Sequence, residues 1–194
     1  MSERATDTQL QILEAARSCL LAEGYARLST RKVADAAGVP LSQIHYHFGG
    51  KQGLVLALLD HENTRLIGRQ RRMYAADAPL WKRYEQACDF LDDDIASGYV
   101  RVLQEMIAAG WSDTSVAQQV LGLLQSWQAL LEQVVRDSQT PLGPLTAEDV
   151  AALVGMSFLG GEAMILLGDE NWTRQTWAAL RSLGKLIRHI EEAS

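Results

Sequence analysis

The sequence predicts an all-α chain of about nine helices. Three observations carry that expectation. Apolar residues recur at three- and four-residue spacing, no stretch alternates apolar and polar long enough for a strand, and β-branched clusters are absent. The breaks between apolar-periodic segments fall at glycine, proline and capping residues. Near the N-terminus, two very short helical segments flank Gly38-Val39-Pro40, which is helix-turn-helix spacing with glycine where the chain turns sharply.

Each element has its own signals. The first helix is expected from Thr6 or Asp7 to Glu23, with Ile12, Leu13, Ala16, Cys19 and Leu20 on one face and Gly24 as its stop. Ser29 can cap a helix over Thr30–Ala37, because its hydroxyl accepts a free backbone N–H. Pro40 or Leu41 opens the third helix, which ends near Phe48 at Gly49-Gly50. Lys51 opens a long helix to about Met73, and Ala75–Pro79 is the expected hinge. Five helices follow, at about Pro79–Ser97, Tyr99–Ala109, Thr114–Ser138, Thr146–Leu167 and Thr173–Glu192. Their expected N-caps include Asp113 or Thr114, Thr146 and Thr173. Pro141, Gly143 and Pro144 mark the clearest loop.

The chain of 194 residues carries a net charge of −6, unevenly placed. Residues 1–72 hold ten basic side chains against seven acidic, so this part is +3 and the remainder is −9. Local field, not the whole-chain sum, governs phosphate binding. The two cysteines, Cys19 and Cys88, lie in apolar helical runs and read as reduced core thiols. The N-terminus has no apolar signal-peptide core, and no run is expected to reach the ~18 apolar residues of a membrane helix. A cytoplasmic protein with no membrane contact is therefore expected.

The short third helix lets each side chain be placed. At 100° per residue, Leu41, Ile44 and Phe48 share a face and meet Val33, Ala34 and Ala37 of the preceding helix. The opposite arc carries Ser42, Gln43 and Tyr46, with His45 and His47 at its edges. Such a face offers donors and acceptors to base edges and phosphates; on a short helix without the turn it would simply be a solvated face. His45 and His47 point about 200° apart and cannot share a metal ion. Gly49-Gly50-Lys51 lacks the strand and the frame of a phosphate loop. No nucleophile elbow, metal triad or paired catalytic carboxylates stand out, so no enzyme, cofactor or metal is expected.

Residues 29–39 (Ser29-Thr30-Arg31-Lys32-Val33-Ala34-Asp35-Ala36-Ala37-Gly38-Val39) and 44–51 (Ile44-His45-Tyr46-His47-Phe48-Gly49-Gly50-Lys51) resemble the N-terminal region of the tetracycline-repressor (TetR) family. The resemblance covers about a quarter of the chain. It implies a three-helix DNA-binding domain over 1–50 and a helical regulatory and dimerisation domain over 51–194. It implies a DNA-binding set of Thr30, Arg31, Ser42, Gln43, His45, Tyr46 and Lys51. In this set Thr30 and Lys51 meet the phosphate backbone, and Ser42, Gln43, His45 and Tyr46 face the major groove. The chain departs from the family pattern at His45, where Tyr is usual, and at Pro40-Leu41, where a small polar residue is usual. The implied partners are double-stranded operator DNA, a second copy of the chain and an unknown small-molecule effector. The implied function is a repressor released from its operator by a small, hydrophobic ligand.

The C-terminal helices suit two roles. Val150, Leu153, Met156, Phe158, Met164 and Leu166, with four glycines at 155, 160, 161 and 168, fit close helix approach. Trp177, Leu180, Leu183, Leu186, Ile187 and Ile190 follow at helical spacing. They serve a dimer interface or an internal core. Trp127, Phe90, Met106, Tyr84 and Phe158 are the pocket candidates, although bulky apolar residues suit an ordinary core equally well. Asp92-Asp93-Asp94 and Arg69–Arg72 read as solvated charged faces.

Overall fold

The computed structural model describes residues 3–75, 78–141 and 143–193. The described residues form nine helices and no strand: α1 (Glu3–Glu23), α2 (Thr30–Ala37), α3 (Leu41–Phe48), α4 (Lys51–Tyr74), α5 (Leu80–Ser97), α6 (Tyr99–Gly110), α7 (Thr114–Ser138), α8 (Ala147–Leu166) and α9 (Glu170–Glu192). Of the expected hinge, Ala76 and Asp77 lie outside the described residues.

The helix limits follow from local chemistry. Ser29 caps α2 through its hydroxyl, which accepts from the Lys32 amide, and Gly38 ends the helix at φ 65°, a left-handed conformation that favours glycine. Asp113 caps α7 by accepting from the amides of Ser115 and Val116 at 2.9 and 3.3 Å. Thr146 and Asp149 form a reciprocal capping box at α8. The start of α9 differs from the expectation. Asp169, not Thr173, is its cap and accepts from the Trp172 amide, so α9 begins at Glu170. A carboxylate cap also favours the helix dipole, which the β-branched Thr173 four residues later does not improve upon.

Two compact units make up the chain, and the boundary falls inside α4, α6 and α7. The first comprises residues 1–65 and 101–121. Its interior holds Ile12, Leu13, Ala16 and Leu20 of α1, Val33, Ala34 and Ala37 of α2, Ile44 of α3, and Leu54, Val55, Leu58 and Leu59 of α4. Cys19 is half-exposed, contrary to the expected core thiol; it is one residue off the fully buried Ala16–Leu20 line. Burial and the Glu23 carboxylate raise its pKa, while Lys32 opposes them.

The second unit comprises residues 66–100 and 122–194, in which α5 packs on α9 and α9 on α8. Tyr74, Leu80, Leu131, Val134, Val135 and Ala151 form a buried cluster, flanked by Trp127, Val154 and Ile187. The α8 glycines divide into two kinds. A Cβ on Gly161 would meet Leu180 and Thr176 of α9 at 3.2 Å, and one on Gly155 would meet the Trp127 ring at 3.3 Å. Gly160 and Gly168 face open space, so close approach explains two of the four.

Two charged runs differ from the expected solvated faces. Arg69 pairs with Asp94 and lies over the Phe90 ring, 4.7 Å from its centroid, while Arg71 and Arg72 are exposed. Asp94 is buried and Asp92 and Asp93 are exposed. Burial raises the Asp94 pKa against the opposing pull of Arg69. By length and composition α8 is apolar enough to cross a membrane, contrary to the expectation that no run would reach that length.

Candidate nucleic-acid interface

The interface begins with the α2–α3 corner. Ile44 is fully buried and Tyr46 is 81% exposed, so α3 has one face fixed in the core and one turned out. Leu41 and Phe48 flank Ile44 half-buried. On the outward arc, Ser42 and His45 are exposed and Gln43 is half-exposed. The Tyr46 and His47 rings meet edge to face with centroids 4.9 Å apart, which limits the freedom of the tyrosine. Arg31 is exposed and Thr30 half-exposed at the first turn of α2. In the first unit this brings six of the seven expected DNA-facing residues onto two adjacent short helices.

The seventh, Lys51, opens α4. Its ammonium lies 4.4 Å from the centroid of the Tyr25 ring and donates to the Ala26 carbonyl at 3.4 Å. Gly49 and Gly50 supply the turn between α3 and α4 at φ 74° and 144°. The next residue, Gln52, donates to Asp113 Oδ2 at 3.0 Å and Ser115 Oγ at 2.6 Å. The Ser115 hydroxyl, which donates to Asp113 Oδ1 at 2.8 Å, does most to hold the Asp113 pKa below its ordinary value, followed by the Val116 and Ser115 amides and, last, Gln52. Tyr25, Gln52, Glu105 and Asp113 were not among the expected site residues. Their roles come from contacts between segments 25–115, which no local sequence pattern announces.

Of the expected pocket residues, three come together. Tyr84 and Phe158 meet edge to face at 5.8 Å between centroids, and Trp127 meets Phe158 at 6.3 Å. The Tyr84 hydroxyl donates to the Leu180 carbonyl at 2.9 Å. Phe90 instead lies under Arg69, and Met106 is buried in the first unit. The Trp127 indole N–H and Gln70 Oε1 are buried without a hydrogen-bond partner. A separate apolar cavity of about 160 Å³ opens between α8 and α9, lined by Leu145, Val150, Leu153, Leu183, Leu186 and Ile190 among others. It contains none of the five expected residues. Among the described residues no group of histidine, cysteine or carboxylate side chains is placed to hold a metal ion.

A short helix anchored by one apolar side chain, with polar residues outward and a helix N-terminal lysine beside it, has the arrangement of a helix-turn-helix. Comparison with known proteins finds similarity of the same kind. Residues 12–58 match the sequence profile of the bacterial regulatory proteins of the tetR family. The HTH-type transcriptional regulator TtgR of Pseudomonas putida is 29% identical over 190 residues, covering 88% of this chain and 90% of TtgR. The HTH-type transcriptional repressor AcnR of Corynebacterium glutamicum is 34% identical over 64 residues, 33% of this chain and 34% of AcnR. The crystal structure of a TetR-family transcriptional regulator from Agrobacterium tumefaciens superposes with a TM-score of 0.78 at 16% identity, covering 96% of this chain and 99% of that one. Over residues 12–58 the chain is thus similar to the tetR family of bacterial regulatory proteins, and over most of its length to HTH-type transcriptional regulators.

Proposed function

We propose that the protein is a homodimeric repressor that binds operator DNA in the bacterial cytoplasm and is released by a small, hydrophobic ligand. The observation that carries this is the orientation of α3: Ile44 is locked in the core while Ser42, Gln43, His45 and Tyr46 face outward. In this reading residues 1–50 form the DNA-binding domain and residues 51–194 the regulatory and dimerisation domain. Thr30 and Lys51 hold the phosphate backbone, Arg31 reaches a base edge or a phosphate, and the α3 residues read base edges.

The second copy has a surface to cover. Leu153, Met156, Gly160 and Met164 on α8 and Leu167 at its C-cap are exposed at spacings of three and four, and Trp172, Leu186 and Ile190 are exposed on α9. Large exposed apolar stripes of this kind mark interaction surfaces. The apolar cavity lined by Leu153, Leu186 and Ile190 belongs to the same face. A two-fold pair would present two copies of α3 to successive major grooves about 34 Å apart.

The effector site is assigned to the interior of the second unit, around Trp127, Tyr84 and Phe158. The Trp127 indole N–H, buried without a partner, supports it, because such a group is costly unless something satisfies it. Helix α4 links the two roles: its first turn carries Lys51 and its last turns carry Gln70 and Tyr74. Release requires only that the ligand bind better to the arrangement that cannot grip DNA.

The test is a mobility-shift titration with the full chain and a duplex enriched by it from a random-sequence library. Wild type is expected to bind as a dimer, Tyr46→Ala to lose sequence preference, and a panel of apolar small molecules to contain one that weakens binding. Enrichment of no sequence above background refutes the DNA assignment. Tight binding that no small molecule weakens removes the effector part.

A further inference from the structure

We infer that Glu105 of α6 is a positioning residue for DNA binding, acting through Tyr25 to set the Lys51 ammonium against the phosphate backbone. The inference rests on the DNA-facing role of Lys51 proposed above.

The contacts form one continuous chain inside the first unit. Glu105 Oε2 accepts from the Tyr25 backbone amide. Its other oxygen lies 3.3 Å from Arg101 Nε, and the Arg101 guanidinium donates to the Leu21 carbonyl at 3.1 Å. Two successive α6 side chains therefore grip the last turn of α1 and the turn that follows it. Gly24 makes this possible. A Cβ there would stand 3.2 Å from Glu105 Oε1, and the residue adopts φ 78°, so glycine serves both the turn and the carboxylate's approach. The Tyr25 ring, fixed by its own gripped backbone, then carries the Lys51 ammonium on its face.

The Ala26 carbonyl, one residue beyond Tyr25, completes the lysine's seat. Two groups thus hold Lys51, and both belong to the segment that Glu105 anchors. On the other side of Lys51, Gln52 is tied to Asp113 and Ser115. A lysine left free samples many rotamers and must lose that side-chain entropy to meet one phosphate. A lysine already seated beside the backbone-contacting surface meets it without that loss. Glu105 touches no DNA in this scheme. It holds the platform.

The test compares Glu105→Ala, Glu105→Gln, Lys51→Ala and the Glu105→Ala/Lys51→Ala double variant. Each is titrated with the enriched duplex across a salt series, and each is checked for wild-type melting. A phosphate contact contributes about 0.9 to the slope of log K against log salt, so losing Lys51 from both heads lowers its magnitude by about 2. Glu105→Ala is expected to lower the slope in the same direction. The double variant is expected to match Lys51→Ala alone, because both act through one contact. Glu105→Gln keeps an acceptor for the Tyr25 amide and is expected to retain most of the wild-type slope. A wild-type slope in Glu105→Ala, with Lys51→Ala lowered as expected, overturns the inference alone. A further loss in the double variant also overturns it. An unchanged slope in Lys51→Ala overturns the DNA-facing role of the lysine and this inference with it.

Discussion

Replacing Gly53 with alanine should destabilise the protein, although the same change in an ordinary helix stabilises it. Gly53 lies in the first turn of α4. A Cβ built there falls on the carbonyl oxygen of Phe48, with the Phe48 carbonyl carbon 3.1 Å away and its Cα 3.9 Å away. All three atoms are backbone at the end of α3, so no side-chain rotation can relieve the overlap. Alanine gains about 1 kcal/mol over glycine in a helix interior. Forcing atoms into a packed contact costs about 1–3 kcal/mol, and an immovable backbone belongs at the upper end. The balance is a loss of about 2 kcal/mol, which for a chain this long lowers Tm by about 4–8 °C. Gly122 is the internal control. It is exposed in the middle of α7 with nothing within 4 Å of its Cβ position. Gly122→Ala should therefore raise Tm by about 2–4 °C. The assay is thermal unfolding followed by circular dichroism at one fixed chain concentration, since association alters Tm. A Gly53→Ala protein that melts at or above wild type would refute the packing argument.

Further expectations concern the second unit. Glu191 closes the start of α5 from α9, accepting from the amides of Leu80 and Trp81 at 2.9 and 2.8 Å and from the Thr140 hydroxyl at 3.0 Å. Glu191→Ala should cost about 1–2 kcal/mol in urea denaturation, and a loss within error of zero would remove that role. Burial pushes the Cys88 thiol up to about 11 from about 9. Between those values the unfolded chain releases the proton while the folded chain keeps it. Stability is therefore full below pH 9 and falls as pH rises toward 11, by up to about 1.4 kcal/mol per pH unit. The buried hydroxyls of Tyr74 and Tyr84, also raised by burial, act in the same direction. Denaturation curves across this range should flatten in Cys88→Ala; an identical pH slope in that variant would assign the effect elsewhere.

Much of the first unit was legible from local chemistry. The limits of α2 follow from Ser29 and Gly38, and the inward face of α3 follows from Ile44 spaced against Val33, Ala34 and Ala37. What stayed hidden depends on partners distant in sequence. Arg69 looked like part of a solvated basic run because its counter-ion, Asp94, lies 25 residues away on another helix. Glu105 and Tyr25 are 80 residues apart, and neither carries a motif. Asp169, not Thr173, caps α9 although both are good cap residues, and only the backbone path after Gly168 decides between them. The pocket candidates divided for a similar reason: size and apolarity place Trp127, Phe158, Phe90 and Met106 inside, but only the helix arrangement decides which of them meet.

The most direct measurement is a hydroxyl-radical footprint of the full chain on its enriched duplex. A dimer that inserts two copies of α3 protects two patches on one face of the DNA, centred about 34–36 Å apart, or 10–10.5 base pairs. In Tyr46→Ala that pattern should disappear under the same conditions. A single protected patch, or uniform protection that Tyr46→Ala leaves intact, would contradict the paired recognition-helix account.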